Sequence, residues 1–451
     1  MKITKKVIAL SVSVMIGVTA TVQAAEPTDT LRLSREECVA IALQESPTIK
    51  VADLEVKRMD YSKKEVLANL FPAIDFSGAY QRTIELQTVS MNSQSFKMGS
   101  DNTWNFGFEA TMPIINAALW KSITLSDTQI LKTLEESRAS RLDLVNNINK
   151  AYYALMLAID SRKVVKQNYD LAVFNADIYK KKFDQGMASE YDVLRSSVQV
   201  TNIEPELLQS DIAVKQCQLQ LKILMGIDAS ACVMPNVTLS DMKREMYGYA
   251  LERDMTLRNN TSLRQMEIAQ KLAKQNVTLQ KMAWVPTLGV KYNMNWMAMK
   301  NGNALKNLTF NPYSNVALGL TVPIFSGGSK LSKLRQAEVQ VTELELQRQD
   351  LEKSLNMQVE LALDNIDKEV KQIKSSEEGM RQAGKALEIM QKSFEIGAAT
   401  YVNLRDSEMA NTSAQLGYLQ SIYNYLVSTS ELDTLLGKEE ALGITSTTTG
   451  K

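Results

Sequence analysis

The chain has 451 residues, and its 51 Lys and Arg balance 51 Asp and Glu, so no strong net field favours nucleic acid or a cationic partner. Only 19 Gly and 9 Pro are present, which favours long helices. The chain has 0 His, so the commonest general base and metal ligand are missing. We therefore expect no catalytic site, no metal site and no cofactor.

The first residues have the pattern of a secretory signal. Lys2, Lys5 and Lys6 precede an apolar run, and small residues follow it up to Ala24. The pattern predicts a signal peptide over residues 1–24. No later run reaches 18 uncharged apolar residues, so no membrane-spanning helix is expected.

Three cysteines, Cys38, Cys217 and Cys232, are too few for a disulfide scaffold in a chain of this length. The sequence leaves open whether Cys217 and Cys232 are bridged.

Two helices are predicted at the start of the mature chain. Ser34 and Glu37 have the spacing of a capping box, which marks a helix start, and Pro47 interrupts that helix. A second helix over about residues 48–68 stops before Pro72, because a residue that precedes proline avoids the helical region.

From about residue 73 the apolar residues alternate with period two. This predicts strands at about 73–81 and 104–112, joined by a polar loop over 82–103. Each strand has one apolar face. Its candidate lipid-facing residues are Phe76, Tyr80, Phe106 and Phe108.

A very long helix is predicted over about 117–185, because the segment lacks proline and its apolar residues recur at intervals of three and four. About 68 residues at a rise of about 1.5 Å would make a rod on the order of 100 Å long. A return helix over about 191–226, with a kink at Pro205, would pack along it.

The same pattern then occurs a second time. The sequence predicts two tandem repeats, at 25–232 and 233–437, followed by a flexible tail at 438–451. The elements expected in the second copy are a helix at about 241–282 with a break near Asn259 and Asn260, strands at about 287–298 and 314–323, a long helix at about 329–395 and a return helix at about 401–436. Its candidate lipid-facing residues are Val316, Leu318 and Leu320.

Four strands with one apolar face cannot close a barrel, and open edges leave backbone groups unpaired in lipid. Three copies would supply twelve strands. The predicted fold class is therefore mainly α with a transmembrane β part, in which the chain trimerises into a 12-stranded β-barrel that is continued by a long periplasmic α-helical barrel.

The sequence resembles the TolC-like outer-membrane factors, the outer membrane efflux protein family, over nearly the whole mature chain. The resemblance is carried by the junctions Pro113-Ile114 and Pro323-Ile324, and by two motifs that begin at Phe183 and Phe394. It implies a homotrimeric exit duct of a tripartite efflux pump or type I secretion system, with no chemistry of its own. The implied location is the outer membrane, with a large periplasmic portion.

The resemblance also implies roles for individual residues. It places a closed aperture at the far end of the helices, where the pore candidates are Asp192, Asn403 and Asp406. The candidates for contact with an adaptor at the helix tips are Phe183, Gly186, Ser189, Phe394, Gly397 and Thr400. A second interpretation of Asp192 and Asp406 remains open, in which they are solvated side chains or acids favoured by a helix N-terminus.

The implied partners are two further copies of the chain, a periplasmic adaptor, an inner-membrane pump of the RND or ABC type, and outer-membrane lipid. The alternative function is that of a periplasmic adaptor (membrane-fusion) protein with a helical hairpin. That alternative requires β-rich flanks, and residues 25–70 and 405–451 are instead typical of helix or tail. The sequence does not identify the cargo, the pump and adaptor that the duct serves, or the resting state of the aperture.

Overall fold

The computed structural model describes residues 30–91, 94–228, 232–242, 256–302 and 308–438. The predicted signal peptide and residues 439–451 of the predicted tail lie outside the described residues.

The protein is mainly helical, with a β-sheet at one end of long helices. In chain order the elements are β1 (Thr30–Leu33), α1 (Arg35–Glu45), α2 (Pro47–Ala68), β2 (Ala73–Arg82), β3 (Gln87–Met91), β4 (Gln94–Met98), β5 (Asn102–Ile115), α3 (Ala117–Asp184), α4 (Glu190–Met225), β6 (Cys232–Pro235), a 3₁₀ turn (Leu257–Asn259), α5 (Thr261–Met282), β7 (Thr287–Lys300), β8 (Asn311–Thr321), α6 (Ser329–Glu395) and α7 (Tyr401–Leu436). No helix among the described residues is both long enough and apolar enough for a membrane span.

The main sheet is antiparallel and has the strand order β2-β5-β7-β8. Its central pair, β5 and β7, comes from the two halves of the chain. Tyr80 lies opposite Trp104, which in turn lies opposite Ala298. Because side chains alternate across a strand, this register aligns the apolar positions of all four strands on one face.

The helical core lies around the middle of α3, which packs against α4, α7, α2 and α5. Ile148 and Leu155 of α3 are fully buried, as is Ile422 of α7. Tyr152 is also buried, and its hydroxyl donates a hydrogen bond to the carbonyl oxygen of Leu33 at 3.0 Å. The core thus joins the N-terminal strand to the two helix pairs.

Helix starts follow the capping residues. Ser34 accepts a hydrogen bond from the backbone N–H of Glu37 at 3.2 Å, and Glu37 accepts one from the Ser34 N–H at 2.7 Å. These two bonds satisfy two of the backbone donors that a helix N-terminus leaves free. Pro47 begins α2, where its missing N–H has no consequence.

Two small β elements differ from the sequence expectations. β1 and β6 form a parallel two-stranded sheet, although the sequence predicted only a polar stretch and a linker there. β3 and β4 form a hairpin inside the predicted loop 82–103. Each of these strands has four or five residues, which is too short for an alternation to stand out.

Several predicted boundaries also differ. β5 continues through Pro113 to Ile115, with an irregular register between these two residues where the ladder lacks the proline N–H. The helix predicted over 241–282 is described only from Thr261, and Asp241 lies in a turn; residues 243–255 lie outside the described residues. Pro205 lies inside the single helix α4.

All three cysteines are free, so Cys217 and Cys232 are not bridged in the structure.

Candidate functional site

One face of the main sheet is apolar, and it is solvent-exposed along the outer strands β2 and β8, whereas Trp104 and Ala298 of the central strands are buried. This apolar face, as we name it, carries the side chains of Ile74, Phe76, Gly78, Tyr80 and Arg82 of β2, Asn102, Trp104, Phe106, Phe108, Ala110 and Met112 of β5, Leu288, Val290, Tyr292, Met294, Trp296, Ala298 and Lys300 of β7, and Pro312, Ser314, Val316, Leu318 and Leu320 of β8. Exposure is 62% for Phe76, 68% for Val316 and 71% for Leu318. An exposed patch of this kind marks an interaction surface.

Cross-strand aromatic pairs order this face. The rings of Phe76 and Phe108 lie 5.0 Å apart, as do those of Tyr80 and Trp104. Phe106 is partly exposed, and the centre of its ring lies 5.8 Å from that of Phe310. All seven lipid-facing candidates from the sequence thus lie on the same face.

The opposite face of the sheet is polar. Lys291 of β7 pairs with Glu109 of β5 at 2.6 Å, and Asn293 donates a hydrogen bond to Asn315 at 3.0 Å. The sheet therefore separates an apolar surface from a hydrophilic one, as a wall between lipid and water would.

At the far end of the molecule the two long helices reverse at glycine. Gly186 has φ 71° and Gly397 has φ 76°, the left-handed region in which a residue without Cβ is favoured. The N–H of Gly186 donates to the Phe183 carbonyl at 2.8 Å, and the N–H of Gly397 donates to the Phe394 carbonyl at 3.0 Å. The two reversals thus have the same local geometry.

Beside these reversals three aromatic rings join three helices. Tyr179 of α3 lies 6.3 Å from Phe394 of α6 and 5.2 Å from Tyr401 of α7, and Phe394 lies 6.4 Å from Tyr401. We name these three residues the tip aromatic cluster. Ring separations below about 7 Å are those of stabilising aromatic pairs.

Two cations flank the tip aromatic cluster. The Lys182 Nζ lies 5.8 Å from the ring centres of both Tyr179 and Phe394, and the Arg195 guanidinium lies 5.7 Å from that of Tyr401. Since Arg195 belongs to α4, the contacts link all four long helices. Burial raises the pKa of Tyr179 to about 12, and the negative charge of Asp192 adds to the shift.

Asp192 caps its own helix. Its carboxylate accepts hydrogen bonds from the Ser189 hydroxyl at 2.7 Å and from the Ser189 N–H at 3.2 Å, which lower the pKa of Asp192. Ser189 in turn accepts from the Asp192 N–H at 3.2 Å, and Thr400, the N-cap of α7, likewise accepts from the Asn403 N–H at 3.3 Å. Asp192 thus lies in the first turn of α4, where the helix N-terminus favours an acid.

The remaining tip candidates are mostly exposed. Asp406 is exposed on the second turn of α7, as is Asn403 on the first. Phe183 is 44% exposed and lies outside the aromatic contacts described for Phe394. The structure thus brings Phe394 into a cluster, while Phe183 and Asp406 face solvent.

A buried polar pair joins α3 to α7 further from the tip. Asn175 donates a hydrogen bond to the Glu408 carboxyl at 3.2 Å, and both side chains are buried. Burial raises the pKa of Glu408. The cause is that burial disfavours the charged form of a carboxyl.

The sequence did not single out the contacts made by Tyr179, Lys182, Arg195 and Glu408. Tyr179 is one of the apolar residues that recur along α3, and Lys182 is the last of three consecutive lysines at positions 180–182. The matched aromatics Phe183 and Phe394, each three residues before a glycine, were the signal that the tips carry aromatic residues. Among the described residues, no group of three or more acidic or Cys side chains could hold a metal ion.

Comparisons with known proteins place the chain among outer-membrane efflux proteins. The family model for outer membrane efflux protein matches residues 39–227 and 253–438. The chain is 22% identical over 341 residues to the outer membrane protein TolC of Vibrio cholerae, covering 73% of this chain and 76% of that protein. It is 20% identical over 415 residues to the alkaline protease secretion protein AprF of Pseudomonas aeruginosa, covering 89% and 85%.

Solved structures share the fold. The outer membrane channel CmeC of Campylobacter jejuni superposes with a TM-score of 0.71 at 16% identity, over 89% of this chain and 85% of that one. The open state of the MtrE channel of Neisseria gonorrhoeae has a TM-score of 0.69 at 16% identity, over 89% and 88%. With the family model matching both halves of the chain, this protein belongs to the outer membrane efflux protein family and lies in the outer membrane.

Proposed function

We propose that the chain is one protomer of a homotrimeric exit duct for efflux or type I secretion. The duct receives substrates from an inner-membrane transporter and a periplasmic adaptor, and passes them across the periplasm and the outer membrane without chemistry of its own.

The observation that carries this proposal is the open sheet with its exposed apolar face. β2 and β8 are the sheet's outer strands, and neither pairs with a further described strand on its outer side. Because the sheet is antiparallel throughout, β8 of one copy can pair with β2 of the next in the same antiparallel sense. Three copies then close a barrel of twelve strands, which leaves no edge in the lipid.

The long helices support a continuation of that barrel. Apolar residues recur along α4 at heptad-type spacing, and their side chains are exposed instead of being covered by the other described elements. They include Leu194, Val198, Leu208, Ile212 and Leu219. Such a seam is buried when helices of neighbouring copies pack side by side. We infer two tandem repeats, at 25–232 and 233–437, that supply two helix pairs to each third of the tube.

The helix tips are proposed as the aperture and as the surface that contacts the adaptor. Exposed apolar side chains lie at both reversals, with Met187 67% and Ile396 81% exposed. The tip aromatic cluster ties α3 to α6 and α7, so it holds the two helix pairs of one chain together in the closed arrangement. The pump partner is of the RND or ABC type.

The proposal is tested first by fractionating membranes, extracting the protein in mild detergent and determining its mass by light scattering corrected for detergent. A trimer in the outer-membrane fraction is expected. A soluble periplasmic monomer would refute the duct.

A matched pair of variants tests the apolar face itself. Phe76→Lys places a charge on that face, and Ser77→Lys places the same charge on the opposite face of the same strand. A Lys at mid-depth on a lipid face costs about 2–4 kcal/mol, so only Phe76→Lys should reduce the amount of trimer in the membrane. Equal loss in both variants would contradict the assignment of the faces.

A further inference from the structure

The apolar face carries charge in only one place. Of all its side chains on the four strands, Arg82 of β2 and Lys300 of β7 are the charged ones, and both are cations. They lie in a single row of the sheet, because Arg82 is opposite Asn102 and Asn102 is opposite Lys300. Two strand spacings of about 4.8 Å place the two backbone positions roughly 10 Å apart.

The row is held in place by Asn102, which is only 1% exposed. Its amide donates to the carbonyl oxygens of Lys300 at 3.2 Å and Gly302 at 3.1 Å, and its oxygen accepts from the Tyr80 hydroxyl at 2.7 Å. These bonds fasten β2 and the end of β7 to β5. The two cations therefore project from a fixed part of the sheet.

The next row towards the helices holds the aromatic pair of Tyr80 and Trp104. Tyrosine and tryptophan prefer the boundary between lipid chains and headgroups. The row of Arg82 and Lys300 lies at the loop end of the strands, furthest from the helices α2 and α3. In the proposed duct, that end of the sheet is at the outer leaflet.

We propose that Arg82 and Lys300 form a binding site for the phosphate groups of a phosphorylated lipid headgroup in the outer leaflet. Both side chains are long enough to keep their apolar stems on the sheet while the charged ends reach the headgroup layer. Asp101 precedes Asn102 in the chain, and its carboxylate accepts a hydrogen bond from the Gly302 N–H at 3.0 Å. This inference rests on the proposed function, since it requires the apolar face to contact lipid.

The test uses the full-length protein purified in neutral detergent. Binding of lipid A that carries its phosphates is measured by native mass spectrometry, with dephosphorylated lipid A as the comparison. The variants are Arg82→Gln with Lys300→Gln, and the charge-retaining pair Arg82→Lys with Lys300→Arg. Lys97→Gln is the control, because Lys97 is an exposed cation of the nearby hairpin outside the row.

A cation near an anionic headgroup contributes roughly fivefold in affinity, so the double Gln variant should bind phosphorylated lipid A about 25-fold more weakly. Dephosphorylated lipid A should bind equally to all variants. The charge-retaining variant and Lys97→Gln should stay within about threefold of the parent, well inside that loss.

Three results would overturn the site. Equal binding of the two lipids by the parent protein would show that the site has no preference for phosphate. If that protein still forms a membrane-inserted trimer, the proposed duct is unaffected. Displacement of the lipid by inorganic phosphate at similar concentration would refute a lipid-specific site. A protein that forms no trimer and retains neither lipid would refute both the site and the duct.

Discussion

The tip aromatic cluster can be tested by Tyr401→Ala. Tyr401 is the first residue of α7, and its ring contacts Tyr179 at 5.2 Å, Phe394 at 6.4 Å and the Arg195 guanidinium at 5.7 Å. Removal of the ring deletes the direct link from α7 to α3 and α4 within this cluster. We expect the proposed aperture to open more often.

The magnitude follows from the interactions that the Tyr401 ring makes. Each aromatic pair is worth about 0.5–1.5 kcal/mol, and a partly exposed cation–π interaction about 0.5–1 kcal/mol. Two pairs and one cation–π interaction thus amount to about 1.5–4 kcal/mol. If these interactions exist only in the closed arrangement, the ratio of open to closed forms rises by about 10-fold to 1000-fold.

The assay is single-channel conductance of the purified protein in planar bilayers. Tyr401→Ala should show higher conductance or more frequent openings, whereas Tyr401→Phe, which keeps the ring, should behave as the parent does. Tyr191→Ala is the matched control, because Tyr191 lies at the start of α4 and is 67% exposed.

Parent-like conductance in Tyr401→Ala would refute the proposed role of the cluster. An equal change in Tyr401→Phe would also refute the reasoning, since the hydroxyl and not the ring would then hold the closed form.

Three other outcomes are expected. Burial raises the pKa of Glu408, so the stabilising contribution of this carboxyl is present below its ordinary pKa and is lost as the pH rises through its folded pKa. Glu408→Gln should therefore raise the unfolding temperature near pH 7. If the unfolding temperature of Glu408→Gln depends on pH as that of the parent does, this reasoning is wrong. Gly437→Ala should destabilise the fold far more than Gly186→Ala in thermal unfolding, because a Cβ at Gly437 would lie 2.0 Å from the Asn259 carbonyl oxygen, whereas Gly186 has open space. Asp406→Ala should change cation block or conductance in planar bilayers if this exposed acid lines the pore, and unchanged currents would remove it from the pore candidates.

Much of the element pattern was accessible from the sequence, because it depends on local sterics. Ser34 and Glu37 form the capping box that their spacing predicted. Gly186 and Gly397 take the positive φ expected of residues that end long helices. Pro113 is a partial exception, since β5 continues two residues beyond it where a break was expected.

Other features required contacts between distant residues. Thr30 pairs with Cys232 in a parallel sheet of two four-residue strands, and no periodicity in so short a segment reveals its partner. The loop predicted over 82–103 contains a hairpin for the same reason. The tip aromatic cluster also depends on how α3, α6 and α7 pack, which the heptad spacing of each helix alone does not define.

The sequence by itself determined the long helices and the four strands of the main sheet, where the long helices reverse, and which side of each of these strands is apolar. These properties follow from backbone sterics, capping and the alternation of side chains, all of which act within a few residues. Only the tertiary structure decided that β5 pairs with β7, that Asn102 fastens the row of Arg82 and Lys300, and that Tyr179 meets Tyr401. Such contacts depend on packing between residues that lie about 200 positions apart in the chain, and the local sequence pattern does not specify that packing.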